Sequence, residues 1–381
     1  MKILVLGAGR MGLGAAYDLA HNSADVRAVT VADLDPERAR AVAAAVGSAK
    51  LAPAGVDVND HARTVALMRG HDAVISCVTY FHNLQLARAA IEARAHFCDL
   101  GGNNSVVAAE LALDAEARAA HVSIIPDCGL APGMVSVLAM HGAARFDQLE
   151  AIHIRVGGLP QQPRPPLNYQ IIFSVEGLIN EYVERARVIR GGQIVEVESL
   201  TEIEPLSFPA PFERMEAFQT SGGTSTLPDT FHGRLRELDY KTIRYPGHCE
   251  QFKLLVELGL AASEEIDLDG ARVRPRRLLG ELLTRRLPAG EPDVVLIRLV
   301  FHGRNAGREA RLRYDIIDRF DERTGLSAMM RTTAFPASVI AQMMARGETT
   351  ERGARPQELV VPPGKFVAAL AARGIRISEH Q

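Results

Sequence analysis

Residues 3–12 read Ile3-Leu4-Val5-Leu6-Gly7-Ala8-Gly9-Arg10-Met11-Gly12, a short apolar run that ends in Gly-x-Gly-x-x-Gly. An apolar strand followed at once by three spaced glycines, and then by a helical pattern, is the form of a strand that feeds a helix through a tight turn. Gly7 permits the turn, Gly9 lets backbone amides approach a pyrophosphate, and Gly12 lets helix and strand pack closely. A phosphate held this way sits on the helix N-terminus, with Arg10 and Met11 in the first turn. A tight turn that binds nothing satisfies the same six residues, so the surrounding chain has to decide.

Outward from this turn, residues 1 to about 130 repeat strand, turn and Ala-rich helix, the pattern of a parallel sheet with crossover helices. The further strands are expected at Val26 to Ala32, near Ala52 to Val58, at Ala73 to Val78, His96 to Leu100 and Val122 to Asp127. The predicted fold class is α/β, with a Rossmann-type doubly wound parallel sheet followed by a second α+β domain. Asp33 closes the second strand where a ribose-binding acid belongs, and a carboxylate there repels a 2′-phosphate, which predicts NAD as cofactor. Arg38, just beyond, offers a cation to a 2′-phosphate and pulls the other way. Asp57 and Val58 at the end of the third strand are expected near the adenine, or else simply start a turn. Val78 and Thr79 follow the fourth strand and complete the predicted cofactor contacts.

A doubly wound sheet binds its ligands beyond the carboxyl ends of its strands. Those ends read Ser76-Cys77-Val78-Thr79-Tyr80, Cys98-Asp99-Leu100-Gly101-Gly102-Asn103-Asn104 and Asp127-Cys128-Gly129-Leu130-Ala131-Pro132-Gly133. Hydride-transfer chemistry asks the protein for orientation and one proton-moving group. Tyr80, Asp99 and Asp127 are the titratable residues in place for that. Asn103 reads as the N-cap of the next helix.

The bulk figures fit this reading. A chain of 381 residues is long enough for two domains with a cleft between them. A net charge of −3 gives no overall field for nucleic acid or anionic lipid, so a small amino-acid or amine substrate is the expected partner. Cys77, Cys98, Cys128 and Cys249 lack the spacing of a metal site, and no metal is predicted. The chain moves from Met1-Lys2 directly into a strand and has no apolar run long enough to span a bilayer, which predicts no signal peptide, no membrane partner and a cytoplasmic location.

Past Pro132 to Phe146, which reads as a helix, strands are expected at Ala151 to Val156, Ile171 to Phe173, Gln193 to Val197 and Val294 to Phe301. The proline-rich run Leu159 to Pro166 is expected to be a loop. Ser221 to Thr226 is glycine-containing but lacks a following lysine, so a plain turn or substrate-side loop is expected rather than a phosphate loop. Six arginines between Arg272 and Arg286 have no interleaved aromatics and read as a solvated face. Pro336 to Arg346 reads as a helix that starts on its proline.

Several blocks carry a resemblance. Asp127-Cys128-Gly129-Leu130-Ala131-Pro132-Gly133, Gly157-Gly158-Leu159-Pro160, Pro166-Leu167-Asn168-Tyr169, Phe173-Ser174, Lys241-Thr242-Ile243-Arg244-Tyr245-Pro246-Gly247-His248 and Ser327-Ala328-Met329-Met330 with Phe335-Pro336 occur in an order that resembles the saccharopine dehydrogenase and lysine dehydrogenase family. The resemblance implies oxidation of a carbon–nitrogen bond at the lysine side-chain end. With Asp33 pointing to NAD, it implies an NAD-dependent L-lysine 6-dehydrogenase, with a glutamate-forming saccharopine dehydrogenase or a non-catalytic NAD-binding subunit as alternatives. It also implies a discontinuous dinucleotide domain of residues 1–131 plus about 325–381, a substrate and dimerisation domain of 132–324, and a homodimer. Arg244 is then the expected grip on the substrate carboxylate. Thr242 flanks it, His248 is a second candidate for proton transfer beside Asp127 and Tyr80, and Glu176 is a candidate partner for a cationic substrate, though a helix-start carboxylate on the surface fits equally.

Overall fold

The computed structural model describes residues 1–381. Contacts divide the chain into two compact units, one of residues 1–145, 225–227 and 330–376, the other of 146–224, 228–329 and 377–381.

The first unit alternates strand and helix because its strands are short, apolar runs and its helices carry apolar residues on one face. The elements are β1 (Lys2–Leu6), α1 (Arg10–His21), β2 (Ala28–Asp33), α2 (Pro36–Val46), β3 (Leu51–Gly55), α3 (His61–Met68), β4 (Ala73–Ser76), α4 (Asn83–Ala93), β5 (His96–Asp99), α5 (Asn104–Leu111), α6 (Asp114–Ala119), β6 (Ser123–Ile125) and α7 (Val135–Ala143). All strand pairs are parallel, in the order β6-β5-β4-β1-β2-β3 with the short strand Gly353–Ala354 beyond β6. The order reverses between β1 and β4, which places the turn after β1 at the switch point where such sheets bind ligands. Ile3, Leu4, Val5, Leu6, Val74 and Ile75 are fully buried, as strands covered on both faces require.

The second unit is built on a mixed sheet. It comprises β7 (Gln148–Pro160), α8 (Val175–Val183), β8 (Ala186–Arg190), β9 (Gln193–Val197), β10 (Glu204–Leu206), β11 (Met215–Gln219), α9 (Leu227–Phe231), whose first residue belongs to the other unit, β12 (Glu237–Arg244), α10 (His248–Glu257), the hairpin β13 (Ile266–Leu268) and β14 (Ala271–Val273), α11 (Pro275–Arg286), β15 (Asp293–Asn305) and β16 (Arg308–Arg319). The sheet runs β10-β11-β12-β7-β15-β16, closed by the strand Ser378–His380. No helix is long and apolar enough to cross a membrane.

Several expectations need correction. Ile171–Phe173 is not a strand; Ile171 makes one bridge, to Ala289. Leu159 and Pro160 belong to β7, paired with Val294 and Asp293, so the proline-rich loop begins at Gln161. The helix expected from Pro132 starts at Val135, because Gly133 has φ +126, outside helical space. The helix expected from Pro336 starts at Ala328, with the proline inside it. Its start is set from 35 residues away, where the Asp293 carboxylate accepts the Ala328 and Met329 N–H groups at 2.6 and 2.9 Å. β3 stops at Gly55, so Asp57 and Val58 lie in the turn beyond it, and Asp57 accepts the Asn59 N–H at 2.9 Å.

Candidate functional site

The glycines of the first turn divide their work. Gly7 has φ +95, and a Cβ there would stand 2.8 Å from the Cys77 carbonyl oxygen. At Gly12 a Cβ would lie 1.8 Å from the Gly7 carbonyl oxygen, so only glycine lets α1 approach β1. A Cβ on Gly9 would meet nothing within 4 Å. Steric need therefore explains Gly7 and Gly12 within the fold, while the space over Gly9 suits a ligand. Gly9 is also the N-cap of α1 and brings no side-chain cap, and the first turn, which holds Arg10 and Met11, contains no acid to compete with an anion. A pyrophosphate fits these groups.

Asp33 stands where the ribose acid was expected, but it also holds the turn together. Its Oδ2 accepts the Ala8 N–H at 2.7 Å and its Oδ1 the Asp35 N–H at 3.0 Å. Each oxygen keeps a lone pair for a ribose hydroxyl. Arg38, largely exposed and 3.9 Å from Asp35, lines a hollow of about 360 Å³ with Ala8, Leu13 and Val42. Val78 and Thr79 lie in the loop after β4, where Thr79 leads into a single turn of 3-10 helix that holds Tyr80. The Tyr80 ring covers Gly102, where a Cβ would come within 3.1 Å of it.

A buried acid cluster lies at the carboxyl ends of β5 and β6. Asp99, Glu110 on α5 and Asp127 are each at most 1% exposed. Asp99 Oδ1 accepts the N–H of Gly101 at 2.6 Å and that of Asp127 at 3.2 Å. Asp127 sits at φ +59, and its Oδ2 accepts the hydroxyl of Ser225, itself at φ +43. Two non-glycine residues in the left-handed region and in contact with each other mark a locally imposed geometry. Asp127 Oδ1 lies over Gly101, where a Cβ would be 1.9 Å away, and it has no hydrogen-bond partner. Burial, then the charge of Asp99, pushes Asp127 up to about 8, with the Ser225 hydroxyl opposing and Glu358 adding to the rise. Burial also raises Glu110, reinforced by Asp99 and Asp127, so Glu110 keeps its proton beside them. Such a cluster can hold a proton near neutral pH and release it slightly above. Asn103 caps α5 by accepting the Ser105 and Val106 N–H groups.

In the second unit Arg244 ends β12 at 2% exposure. Its Nε donates to the Tyr182 hydroxyl at 2.9 Å and its Nη1 to the Ile243 carbonyl at 2.9 Å. Its guanidinium carbon lies 4.9 Å from the Tyr169 ring centre. No acid pairs with it, although an unpaired buried charge is costly. His248 accepts the Tyr182 hydroxyl on Nε2 at 3.0 Å and donates from Nδ1 to the Leu167 carbonyl at 2.9 Å. Burial, then the Arg244 charge, lowers His248 to about 3, so it is neutral and its tautomer is fixed. This geometry makes His248 a support for Tyr182 and Arg244. Thr242 is buried and paired with Thr220 at 2.7 Å. Glu176 is in the first turn of α8, exposed, with its carboxylate bound by Arg276 at 2.8 Å. Arg272 and Arg274 pair with Glu265 and Arg285 with Glu281 at the surface, as expected of a solvated face, whereas the Arg276 side chain is only 13% exposed and is held by Glu176 and Asn180. Sequence reasoning missed Glu110, Ser225 and Tyr182. Only Ser225 lay in a stretch whose composition drew notice.

Comparisons with known proteins cover both units. The model of the saccharopine dehydrogenase NADP binding domain matches residues 3–125, and that of the saccharopine dehydrogenase C-terminal domain matches residues 129–375. The NADP-dependent, L-glutamate-forming saccharopine dehydrogenase of Pyricularia oryzae is 27% identical over 281 residues, which is 70% of this chain and 60% of that protein. The Schizosaccharomyces pombe enzyme of the same description is 24% identical over 212 residues, 54% of this chain and 46% of that protein. The chain thus spans about half to three-fifths of the curated relatives it matches. Among solved structures, the apo L-Glu-forming saccharopine dehydrogenase of Saccharomyces cerevisiae superposes with a TM-score of 0.81 at 20% identity, covering 100% of this chain and 99% of that one. The homospermidine synthase of Legionella pneumophila, solved in complex with NAD, gives 0.68 at 12% identity, covering 100% and 91%. Both share the fold, and with the two family models matching from residue 3 to residue 375, the chain belongs to the saccharopine dehydrogenase family.

Proposed function

We propose that this protein is a nicotinamide-dinucleotide-dependent oxidoreductase that oxidises the carbon–nitrogen bond of an amino-acid-derived secondary amine of the saccharopine type. The observation that carries the substrate class is Arg244, a buried guanidinium with no acid of the chain at ion-pair distance, which matches a substrate carboxylate. The curated relatives, named for glutamate-forming saccharopine dehydrogenase, move the reading from free L-lysine to a secondary amine. When bound, the dinucleotide supplies the hydride chemistry. The chain's own part is to seat the pyrophosphate over Gly9, to accept the ribose hydroxyls on Asp33, and to move a proton at Asp127 Oδ1. Above its value of about 8, Asp127 is a carboxylate able to take a proton from the amine; below it, the neutral acid gives one back.

Asp33 supports NAD as the preferred dinucleotide. A second reading, NADP, is favoured by Arg38 in the hollow beside Ala8. The test is the near-ultraviolet absorbance of reduced dinucleotide with NAD or NADP and a panel of saccharopine, L-lysine and cadaverine. Turnover of saccharopine ahead of L-lysine is expected, with amine oxidation rising as pH passes about 8. Faster turnover of L-lysine returns the assignment to a lysine 6-dehydrogenase, and no turnover of any of them refutes the proposal.

A further inference from the structure

The loop Ser221-Gly222-Gly223-Thr224-Ser225-Thr226 ends in two hydroxyl residues that belong to the first unit, Ser225 buried and Thr226 half-buried. Both donate to buried acids of that unit. The Ser225 hydroxyl binds Asp127 Oδ2, and the Thr226 hydroxyl binds Oε1 of Glu358, on the short helix Gln357–Val360, at 2.8 Å. Ser225 makes its contact at φ +43, which a residue other than glycine adopts only where its surroundings impose it. The bond from Thr226 anchors the very next residue.

The main chain of Asp127 is fixed from several sides. Asp99 Oδ1 accepts the Asp127 N–H at 3.2 Å, and the Asp99 carbonyl accepts the Cys128 N–H at 2.7 Å. Two glycines leave the room this residue needs, since a Cβ at Gly133 would stand 2.7 Å from the Asp127 carbonyl oxygen and one at Gly101 1.9 Å from Oδ1. What the main chain does not fix is the rotation of the carboxyl group, and there the two oxygens differ. Oδ2 is bound by Ser225, whereas Oδ1 is buried without a partner. The titratable groups that face Asp127 are Asp99 on β5, Glu110 on α5, Glu358 and the Cys128 thiol. None of these favours a carboxylate at Asp127, and the Ser225 hydroxyl, by donating to it, acts against burial and Asp99.

We propose that Ser225 is the positioning residue of Asp127: its hydroxyl holds Oδ2 and so leaves Oδ1 as the oxygen that takes the proton of the substrate amine and returns it. This rests on the assignment of proton transfer to Asp127. The hydroxyl proton stays on Ser225 throughout, and the hydrogen bond favours the carboxylate form that accepts a proton.

The test follows Asp127 in two ways. Infrared spectra of the full chain, each subtracted from that of the same chain carrying Asp127→Asn, give the pH at which the Asp127 carboxyl loses its proton without reference to turnover. The pH profile of kcat for saccharopine oxidation then reads the use of that proton. Ser225→Ala is expected to raise the infrared midpoint by roughly one to two pH units, the strength of one hydrogen bond to a charged group, and to move the rise in kcat by the same amount while KM changes by less than about threefold. Ser225→Gly lacks the same hydroxyl but adopts φ +43 without strain, so it should show the same shift even where its stability differs from that of Ser225→Ala. A midpoint that neither variant moves, or one that moves in Ser225→Ala alone, overturns the inference, the second because the backbone and not the hydroxyl is then responsible. A midpoint that moves in both while the rise in kcat stays in place supports the hold of Ser225 on Asp127 and overturns the proton-transfer reading beneath it.

Discussion

Replacing Asp127 by asparagine removes an ionisable group from the buried acid cluster and keeps its shape, including an oxygen able to accept the Ser225 hydroxyl. Asp127 lies at about 8 in the folded chain against an ordinary value of 3.8, chiefly because it is buried and next because Asp99 is beside it. A carboxyl raised in this way binds its proton more tightly in the native state. Its contribution to stability is therefore full below the unfolded value and is lost as pH rises towards the folded one. Each pH unit crossed costs about 1.4 kcal/mol, so the native chain loses about 4 kcal/mol between about pH 4 and pH 7 through this group alone. The asparagine variant keeps that stability. Urea midpoints and slopes measured for both chains across this range give the difference, and because Asp99 and Glu110 are present in both, the difference reports Asp127. The two chains should agree near pH 4, and the variant should be more stable by about 4 kcal/mol at pH 7, the gap widening towards about 6 kcal/mol above pH 8. Parallel curves, or a native chain that gains on the variant as pH rises, would refute the reasoning, since either means that Asp127 is ionised and compensated in the folded state.

Glu110→Gln should likewise stabilise the chain increasingly as pH rises above the ordinary carboxyl range, because burial, Asp99 and Asp127 raise the folded value of Glu110, and the infrared band of a protonated buried carboxyl should weaken. Gly9→Ala should leave the melting temperature nearly unchanged while weakening dinucleotide binding by roughly tenfold or more, whereas Gly12→Ala should destabilise the first unit outright, because its Cβ meets the Gly7 carbonyl oxygen. Titrating NAD and NADP into Asp33→Ala should show the ratio of affinities moving towards NADP, and Arg38→Ala should move it the other way; a ratio that ignores both variants would place the 2′ position elsewhere.

What was legible in the sequence was what short-range chemistry fixes. Gly7, Gly9 and Gly12 act within six residues, and Asp33 reaches Ala8 from the end of the adjacent strand, so the turn, its strands and the parallel sheet followed from local pattern. Asp127 was visible because the carboxyl ends of sheet strands are known in advance as the place to look. The rest depends on residues distant in sequence. Ser225 reaches Asp127 across 98 positions, and Leu167 is 81 positions from the histidine it receives. Tyr182 is 62 positions from Arg244, and no periodicity announces that meeting. Glu110 reads as an ordinary helical glutamate until the fold removes its water. The same holds for Asp293, whose capping of the helix from Ala328 moved that boundary well ahead of Pro336.

The central claim is that Arg244 binds the carboxylate of an oxidisable amine. The direct measurement is the steady-state rate of dinucleotide reduction by the native chain and by Arg244→Ala, each with saccharopine and with an amine of the same length that lacks the carboxylates. Arg244→Ala is expected to raise KM for saccharopine by roughly ten- to more than a hundredfold, the range of a charge-assisted bidentate contact, while the analogue without carboxylates, already poor, changes by less than about threefold. An equal loss on both amines, or saccharopine turnover that is indifferent to Arg244, would contradict it.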